Sequence, residues 1–502
     1  MPEAKSWQFR WAVERWRALP AWQLPVVSAL VGLAVAAGAV TAAGPWDSGQ
    51  RTAERDRAEA ASGTGGEDHG EQTGGRSGRT AGGATPPAAA VLAALGAASP
   101  ARSPDPVPPP TRSGLADALS PLLKDPALGP LRTASIVDAT TGKQLYGSRD
   151  GTAAVPASTI KIATAVAALD ALGPDHRIAT TVVEGAGDGE IVLVGGGDPT
   201  LTAREAKGPD APASLRALAD RTARALKSRG AKKITVAYDT SAYGGPEEHS
   251  IGPNPNLAPV SALMADEGRL DDSVSGPAPR TAVPAEDAAK TFAGLLRERG
   301  VKTKGDPHGT TAGRRAGTLA TVRSQPLSVL VERMLTVSDN DIAEALARQT
   351  AIADGEPASF GGAEKAVAGR LKKLGLPLSG TRFADGSGLS RDDKVSAGLL
   401  AQLLVRAADT ERPALRPVLT GLPVAGFSGT LRSRYADAPT GTGMVRAKTG
   451  TLTGVNTLAG TVVDADGRLL AFAFMTSDAV DAKAAQSVLD RLASTVANCG
   501  CR

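Results

Sequence analysis

Residues 156–173 read Pro156-Ala-Ser-Thr-Ile-Lys-Ile-Ala-Thr-Ala-Val-Ala-Ala-Leu-Asp-Ala-Leu-Gly173. The proline at the start, the alanine and leucine inside and the glycine at the end predict one α-helix. Positions i and i+3 share a helix face, so we expect Ser158 and Lys161 to lie side by side. The positive helix N-terminus favours negative charge near Ser158. This pattern suits a serine nucleophile with a lysine beside it.

Two further motifs follow in a fixed order, Ser338-Asp-Asn340 and Lys448-Thr-Gly450. Together with Ser158-Thr-Ile-Lys161 they form the set S-x-x-K, S-D-N and K-T-G, which is typical of acylating serine hydrolases of the penicillin-binding and β-lactamase type. Each motif alone is weak, but the ordered set is hard to obtain by chance. The set therefore predicts acyl transfer to Ser158.

The residue types fit that chemistry. A serine hydroxyl is a poor nucleophile until a base takes its proton, and Lys161 can be that base only if its pKa falls. Burial or a neighbouring cation lowers a lysine pKa, and Lys448 is a candidate for the cation. Ser338 could relay a proton to the leaving amine and Asn340 could bind a substrate amide. Taken alone, Ser338 is better explained as the N-cap of the following helix.

The K-T-G segment lies in a strand-like region that precedes two further predicted strands. Within the motif set, Lys448 and Thr449 would contact a substrate carboxylate, and Gly450 and Thr451 belong to the same candidate substrate-binding segment. The backbone N–H groups of Ser158 and Thr451 would form an oxyanion hole. Taken alone, Lys448 is also compatible with an exposed strand lysine.

From about residue 115 to about residue 492 the chain resembles the D-alanyl-D-alanine carboxypeptidase/endopeptidase family, which comprises low-molecular-mass class C penicillin-binding proteins. The resemblance implies serine hydrolysis of the terminal D-Ala-D-Ala bond, or of cross-bridges, in peptidoglycan stem peptides. β-Lactams are the expected inhibitors. Besides the three motifs it rests on Leu193-Val-Gly-Gly-Gly-Asp-Pro-Thr-Leu201, Tyr238-Asp239, Ala258-Pro-Val-Ser261, Asp385-Gly-Ser-Gly-Leu-Ser-Arg391 and Gly450-Thr-Leu-Thr-Gly454.

The same resemblance supplies three further candidate substrate contacts. In the family, the Ser-Gly-Leu-Ser-Arg segment lines the cleft, which implies roles for Ser390 and Arg391. A glycine-rich surface turn explains those two residues equally well. Asp239 is a candidate for a basic group on the peptide, although an aspartate that merely ends a strand fits the sequence too.

The predicted fold is α/β (α+β), a penicillin-binding/β-lactamase-like transpeptidase domain that carries an insertion. The interval between Lys161 and Ser338 is as long as an ordinary domain, and it contains both strand-like and helix-like runs. We therefore expect a first catalytic part at 113–185, a multi-part inserted domain at 186–320 and a second catalytic part at 321–502.

The N-terminal region predicts a membrane anchor. Residues 24–43 carry no charge and match the roughly 20 apolar residues that cross a bilayer. Residues 1–23 are basic, which predicts a cytoplasmic tail, and tryptophans flank the apolar run on both sides. Residues 44–112 are rich in Gly, Ala, Ser, Thr and Pro and predict a disordered linker. The catalytic domain would then be extracellular; cleavage and secretion is the alternative.

Other classes of function find little support. The net charge of +4 is too small to indicate a nucleic-acid partner. The four histidines lie outside any recognised metal or triad motif, so we expect surface or loop positions for them and no cofactor or metal. The cysteine pair Cys499-Gly-Cys501 is assigned no function.

Two rival functions remain. A β-lactamase of the S-D-N type needs a glutamate in an E-x-x-L-N segment, and none occurs between Asn340 and Lys448. A non-catalytic penicillin sensor needs a cytoplasmic effector, and the short segment before residue 24 is too small to fold as a domain. The peptidase is therefore favoured over both.

Overall fold

The computed structural model describes residues 108–205, 208, 211–231 and 233–501, so the predicted anchor and nearly all of the predicted linker lie outside it. The helices are α1 Arg112–Leu123, α2 Lys161–Leu172, α3 Leu215–Ser228, α4 Pro284–Glu298, α5 Leu327–Val337, α6 Asn340–Asp354, α7 Phe360–Lys373, α8 Ala397–Ala408, α9 Pro417–Thr420 and α10 Ala482–Ala497. The strands are β1 Leu131–Asp138, β2 Gln144–Ser148, β3 Ala153–Ala154, β4 Ala179–Glu184, β5 Glu190–Val194, β6 Lys233–Asp239, β7 Lys302–Gly309, β8 Thr318–Arg323, β9 Val395–Ser396, β10 Val445–Leu452, β11 Val455–Val463 and β12 Leu469–Ser477.

The first sheet is antiparallel, in the order β10-β11-β12-β1-β2. Side chains alternate between its faces, as the two-residue period of a strand requires. Phe472 and Phe474 pack into a core that includes α1 and α10, whereas Ala471 and Ala473 belong to a core with α2 and α8. Helices thus cover both faces, and β10, which carries K-T-G, is left at the edge.

Helix α2 is the central helix of the catalytic part. Every residue from Lys161 to Leu169 is buried, which fits a segment that is apolar all round except for Lys161 and Thr164. The helix ends at Gly173 as predicted, but it begins at Lys161. Residues Ala157–Ile160 form a 3₁₀ turn, so Ser158 precedes the α-helix.

A second, mixed sheet has the order β7-β6-β5-β4-β8, with parallel pairing between β5, β6 and β7. Helices α3 and α4 pack into its core through residues such as Leu218 and Phe292. The sheet spans 179–323 and so starts a few residues before 186, because β4 pairs with both β5 and β8. The mixed α/β class predicted from the sequence is confirmed.

The S-D-N turn joins α5 to α6. Ser338 has left-handed backbone angles (φ 61°, ψ 44°) and ends α5. The side chain of Asp339 caps α6 by accepting from Ile342 N–H at 3.0 Å. The cap is therefore Asp339 and not Ser338, which leaves the serine hydroxyl free for another partner.

Near the two ends of the described chain, Thr111 caps α1 and its N–H donates to the carbonyl of Cys501 at 2.7 Å. Cys499 and Cys501 are joined by a disulfide. Of the helices that the structure describes, none is both long enough and apolar enough to span a bilayer.

Candidate active site

The three motifs meet at one cleft. A cavity of about 270 Å³ is lined by Ser158, Ser338 and Asn340 from the first two motifs and by Thr451, which directly follows the K-T-G motif. The 3₁₀ turn before α2, the turn between α5 and α6, and the edge strand β10 supply these side chains. The structure therefore brings together residues that lie far apart in the sequence.

Lys161 is wholly buried, and its Nζ has three partners. It lies 2.9 Å from Ser158 Oγ, 2.7 Å from Asn340 Oδ1 and 2.5 Å from the carbonyl oxygen of Ser387. A neutral amine has two N–H donors and one lone pair. Asn340 Oδ1 and the Ser387 carbonyl can take both donors, which leaves the lone pair for the hydroxyl of Ser158.

Burial lowers the pKa of Lys161 to about 8, although nearby carboxylates raise it, those of Asp385 and Glu344 most. The desolvation of a cation in a dry site causes this shift, because water stabilises the charged form far better than the protein does. Burial, and not a neighbouring cation, is thus the main reason that the amine can act as a base near neutral pH.

Lys448 is also wholly buried and is not an exposed strand lysine. Its Nζ donates to Ser338 Oγ and to the carbonyl of Thr449, both at 2.9 Å. Burial lowers the pKa of Lys448 well below its usual range, and the positive charge of Lys161 lowers it further. The Thr449 hydroxyl meets Thr430 Oγ1 at 2.8 Å, and Thr449 is partly exposed at the cleft.

Two glycines allow the backbone to close around the nucleophile. A Cβ on Gly450 would lie 2.1 Å from Thr457 Oγ1 and 2.7 Å from the carbonyl oxygen of Pro156. A Cβ on Gly388 would lie 2.1 Å from the carbonyl oxygen of Ala157, and Gly388 has φ +86°. Any other residue would push β10 or the 385–390 turn away from Ser158.

The three further candidate substrate contacts, Ser390, Arg391 and Asp239, form hydrogen bonds within the protein. Ser390 is buried, and its hydroxyl accepts from Asp392 N–H at 3.2 Å. Arg391 is exposed and donates to the carbonyl of Thr453 at 2.6 Å, which places it beside the turn after β10. Asp239 is buried, and its two carboxylate oxygens accept from Ser241 N–H and Ala312 N–H, both at 2.7 Å. These bonds fit an aspartate that organises the loops after its strand.

Sequence reasoning missed a buried polar group behind the cleft. The carboxylate of Asp385 accepts from the N–H groups of Ser387 (3.0 Å), Gly388 (2.5 Å) and Ser390 (2.7 Å). Glu344 accepts from the N–H groups of Gly386 (3.1 Å) and Ser387 (2.9 Å). These bonds aim the Ser387 carbonyl at Lys161. The only sequence signal was the Asp-Gly-Ser-Gly turn itself.

His249 is a further residue whose role sequence reasoning missed. It lies in a loop, which fits the expectation, but it is buried, and its Nε2 lies 2.9 Å from Asp385 Oδ2. Burial alone would raise the pKa of Asp385, but the hydrogen bonds from His249 and from Gly388 N–H lower it below its usual value. Burial, with the nearby charge of Asp385, raises the pKa of Asp393 to about 10. Of the two carboxyl groups, that of Asp385 is therefore charged and that of Asp393 is protonated.

Two side-chain groups of the described chain hold potential metal ligands within 4.8 Å of one another; they are His249, Glu344 and Asp385, and Glu267, Asp339 and Asp341. Carboxylates in both groups already have hydrogen-bond or ion-pair partners within the protein. Backbone N–H groups bind the carboxylates of the first group, Arg280 pairs with Asp341 at 2.9 Å, and Arg333 pairs with Glu267 and Asp339. We assign both groups to the bracing of the loops around the cleft.

Comparison with known proteins agrees with this geometry. The model of the D-Ala-D-Ala carboxypeptidase 3 (S13) family matches residues 115–281 and 275–496, and the chain belongs to this family of serine peptidases. It is 40% identical to carboxypeptidase DacB of Mycolicibacterium smegmatis, over 78% of this chain and 85% of that protein. It is 31% identical to the D-alanyl-D-alanine carboxypeptidase of an Actinomadura species, over 71% of this chain and 79% of that protein.

Among solved structures, penicillin-binding protein 4 of Haemophilus influenzae matches with a TM-score of 0.62 at 23% identity, over 75% of this chain and 97% of that one. This likeness gives the penicillin-binding type of fold. The family predicted from the sequence is confirmed.

The acylation of Ser158 should depend on pH through Lys161. Only the neutral amine can take the serine proton, so the acylation rate should rise with pH and level off above an inflection near the Lys161 pKa of about 8. Stopped-flow labelling with a fluorescent penicillin from about pH 6 to about pH 10 would measure the profile. A rate that is flat over this range, or that is still rising at its upper end, would contradict the assignment of Lys161 as the base.

Proposed function

We propose that this protein is a serine D-Ala-D-Ala carboxypeptidase that acts on peptidoglycan stem peptides through an acyl-enzyme. The observation that carries the proposal is the buried amine of Lys161, whose Nζ lies 2.9 Å from Ser158 Oγ and also within hydrogen-bond distance of two acceptors, Asn340 Oδ1 and the Ser387 carbonyl oxygen. Membership of the carboxypeptidase family supports the substrate class.

Acylation follows from this arrangement. Lys161 takes the proton of Ser158, and Oγ attacks the carbonyl carbon of the penultimate D-Ala. The backbone N–H groups of Ser158 and Thr451 would hold the developing oxyanion at the cleft that both residues line. The amide C–N bond then breaks, and a proton reaches the departing amine of the terminal D-Ala through Ser338, whose hydroxyl lies 2.9 Å from Lys448 Nζ.

The terminal carboxylate of the substrate would bind at Lys448 and Thr449. A bound anion favours the charged form of Lys448, whose pKa burial otherwise lowers. Gly450 lets the strand approach the nucleophile. Further candidate substrate contacts are the side-chain amide of Asn340 and, at the rim, Arg391.

Water then hydrolyses the ester of the acyl-enzyme and releases the shortened peptide. Cross-linked peptides are a second substrate class, which would make the enzyme an endopeptidase as well.

We also propose that residues 24–43 anchor the enzyme in the cell membrane, with the catalytic domain outside the cell. A basic, tryptophan-containing segment precedes the apolar run, which favours a cytoplasmic N-terminus. A flexible linker would then let the enzyme reach the cell wall. Secretion after cleavage is the alternative.

The orientation is tested with a reporter enzyme that works only in the cytoplasm. Fused after Gly49 it should be inactive, because the proposed anchor places that position outside, while the same reporter joined to Met1 should be active. Activity after Gly49 would contradict the proposed topology. The N-terminal mass of the mature protein then separates an anchored chain from a cleaved one.

Replacement of the nucleophile should abolish the reaction. We expect Ser158→Ala to release no D-Ala and to bind no penicillin covalently while it remains folded, because the hydroxyl makes no bond on which the fold depends. Lys161→Ala should acylate about 10²–10⁴-fold more slowly, the usual effect of losing a general base. Covalent labelling of Ser158→Ala would contradict the assignment of Ser158 as the nucleophile. A near-normal acylation rate in Lys161→Ala would mean that another group takes the serine proton.

Penicillin should form a long-lived acyl-enzyme. After ring opening the leaving group of a β-lactam stays attached and blocks water, and the segment between Asn340 and Lys448 has no E-x-x-L-N glutamate to activate that water. Intact-mass spectrometry over time should show an adduct that persists, and none on Ser158→Ala. An adduct that vanishes within seconds, with steady drug turnover, would favour the β-lactamase instead.

A further inference from the structure

Two of the three partners of Lys161 are themselves held by one loop of the insertion, at residues 249–256. Asn340 Nδ2 donates to the carbonyl oxygen of Asn256 at 2.9 Å. His249 Nε2 lies 2.9 Å from Asp385, whose carboxylate organises the turn that aims the Ser387 carbonyl at Lys161. The loop lies between β6 and α4, outside the strands and helices that carry the three motifs.

The bond to Asn256 fixes the orientation of the Asn340 amide. A backbone carbonyl only accepts, so the NH₂ group of Asn340 must face Asn256 and its oxygen must face Lys161. The oxygen then takes one N–H of the Lys161 amine at 2.7 Å. Without the Asn256 carbonyl the amide could rotate and present a donor to the amine.

The His249 ring is fixed in the same way. Its Nδ1 accepts from Ile251 N–H at 3.2 Å, which places the ring proton on Nε2, where it points at Asp385. The edge of the ring meets Phe360, with the two ring centres 5.3 Å apart. Glu344 and Arg348 are further titratable groups near this ring, and the guanidinium of Arg348 lies over the ring of Phe360. The pair His249–Asp385 is thus preorganised, buried and directed at the 385–390 turn.

We propose that His249 is a positioning residue for acylation, through which the insertion orients the lone pair of Lys161 toward Ser158. The amine has two N–H donors, and their acceptors are Asn340 Oδ1 and the Ser387 carbonyl. When both acceptors are in place, the lone pair can only face Ser158. If the 385–390 turn relaxes, the Ser387 carbonyl moves and the lone pair is no longer aimed at the hydroxyl.

The inference rests on the proposed function, since it concerns the acylation of Ser158. Its test compares His249→Gln with His249→Asn. The amide nitrogen of Gln can reach the position of Nε2 and donate to Asp385, whereas the shorter Asn cannot. His249→Met fills the volume of the ring without a donor and is a second loss variant. His308→Asn is the matched control, a half-exposed histidine of the same insertion whose ring lies 3.3 Å from Glu190.

The readouts are the maximal rate of acylation by a fluorescent penicillin, the concentration that gives half of that rate, and the melting temperature. We expect His249→Asn and His249→Met to lose roughly tenfold to a hundredfold in maximal rate, the scale of a catalytic group displaced by about 1 Å. The half-saturating concentration should stay within about twofold, because Lys448 and Thr449, which would bind the carboxylate of the drug, lie on β10 and outside the 385–390 turn. His249→Gln should recover most of the rate, and His308→Asn should match the wild type.

Folded Asn and Met variants with the wild-type maximal rate would overturn the proposal, as would a Gln variant no faster than the Asn variant. Failure of both loss variants to fold while the Gln variant folds would overturn it too, since His249 would then serve stability alone. Absence of labelling in the wild type would instead contradict the proposed function, so the two failures are distinguishable.

Discussion

The burial of one lysine amine is the constraint on which the rest of the site depends. Lys161 lies at the start of a helix that is buried on all sides, and that burial lowers its pKa to about 8. A buried amine must have hydrogen-bond partners, and these come from Ser158, from Asn340 and from the Ser387 carbonyl. The surrounding loops are organised to supply those partners.

The fold meets this constraint by bringing distant segments to the base. The first sheet places β10 against the turn of the nucleophile, where Gly450 permits the close approach. The left-handed Ser338 ends α5 and directs its hydroxyl to Lys448. The insertion contributes His249 and the Asn256 carbonyl from behind. The insertion is therefore connected to the groups around Lys161 by direct hydrogen bonds as well as by the polypeptide chain.

Local patterns in the sequence predicted only part of the fold and of the active site. The pairing of Ser158 with Lys161 follows from their i, i+3 spacing, which brings the two side chains together in the observed 3₁₀ turn as it would in the predicted α-helix, and the class of fold follows from the motif order. The alternative that Ser338 caps α6 is excluded, because Asp339 makes that bond; both residue types are good caps, and the contact of Ser338 with Lys448 is tertiary. His249 and Ser387 were not found, because their partners lie 136 and 226 positions away. Such contacts leave no local signature.

The central claim is that burial lowers the pKa of Lys161 far enough for a reactive fraction of its amine to be neutral near physiological pH, and its titration tests that claim most directly. With ¹³C-labelled lysine, the ε-carbon signal of Lys161 can be identified by its absence in Lys161→Met and followed with pH by NMR. We predict a midpoint near 8, because burial disfavours the charged amine. A midpoint at the ordinary lysine value of about 10.4 would contradict the mechanism, since almost none of the amine would then be neutral when the enzyme works.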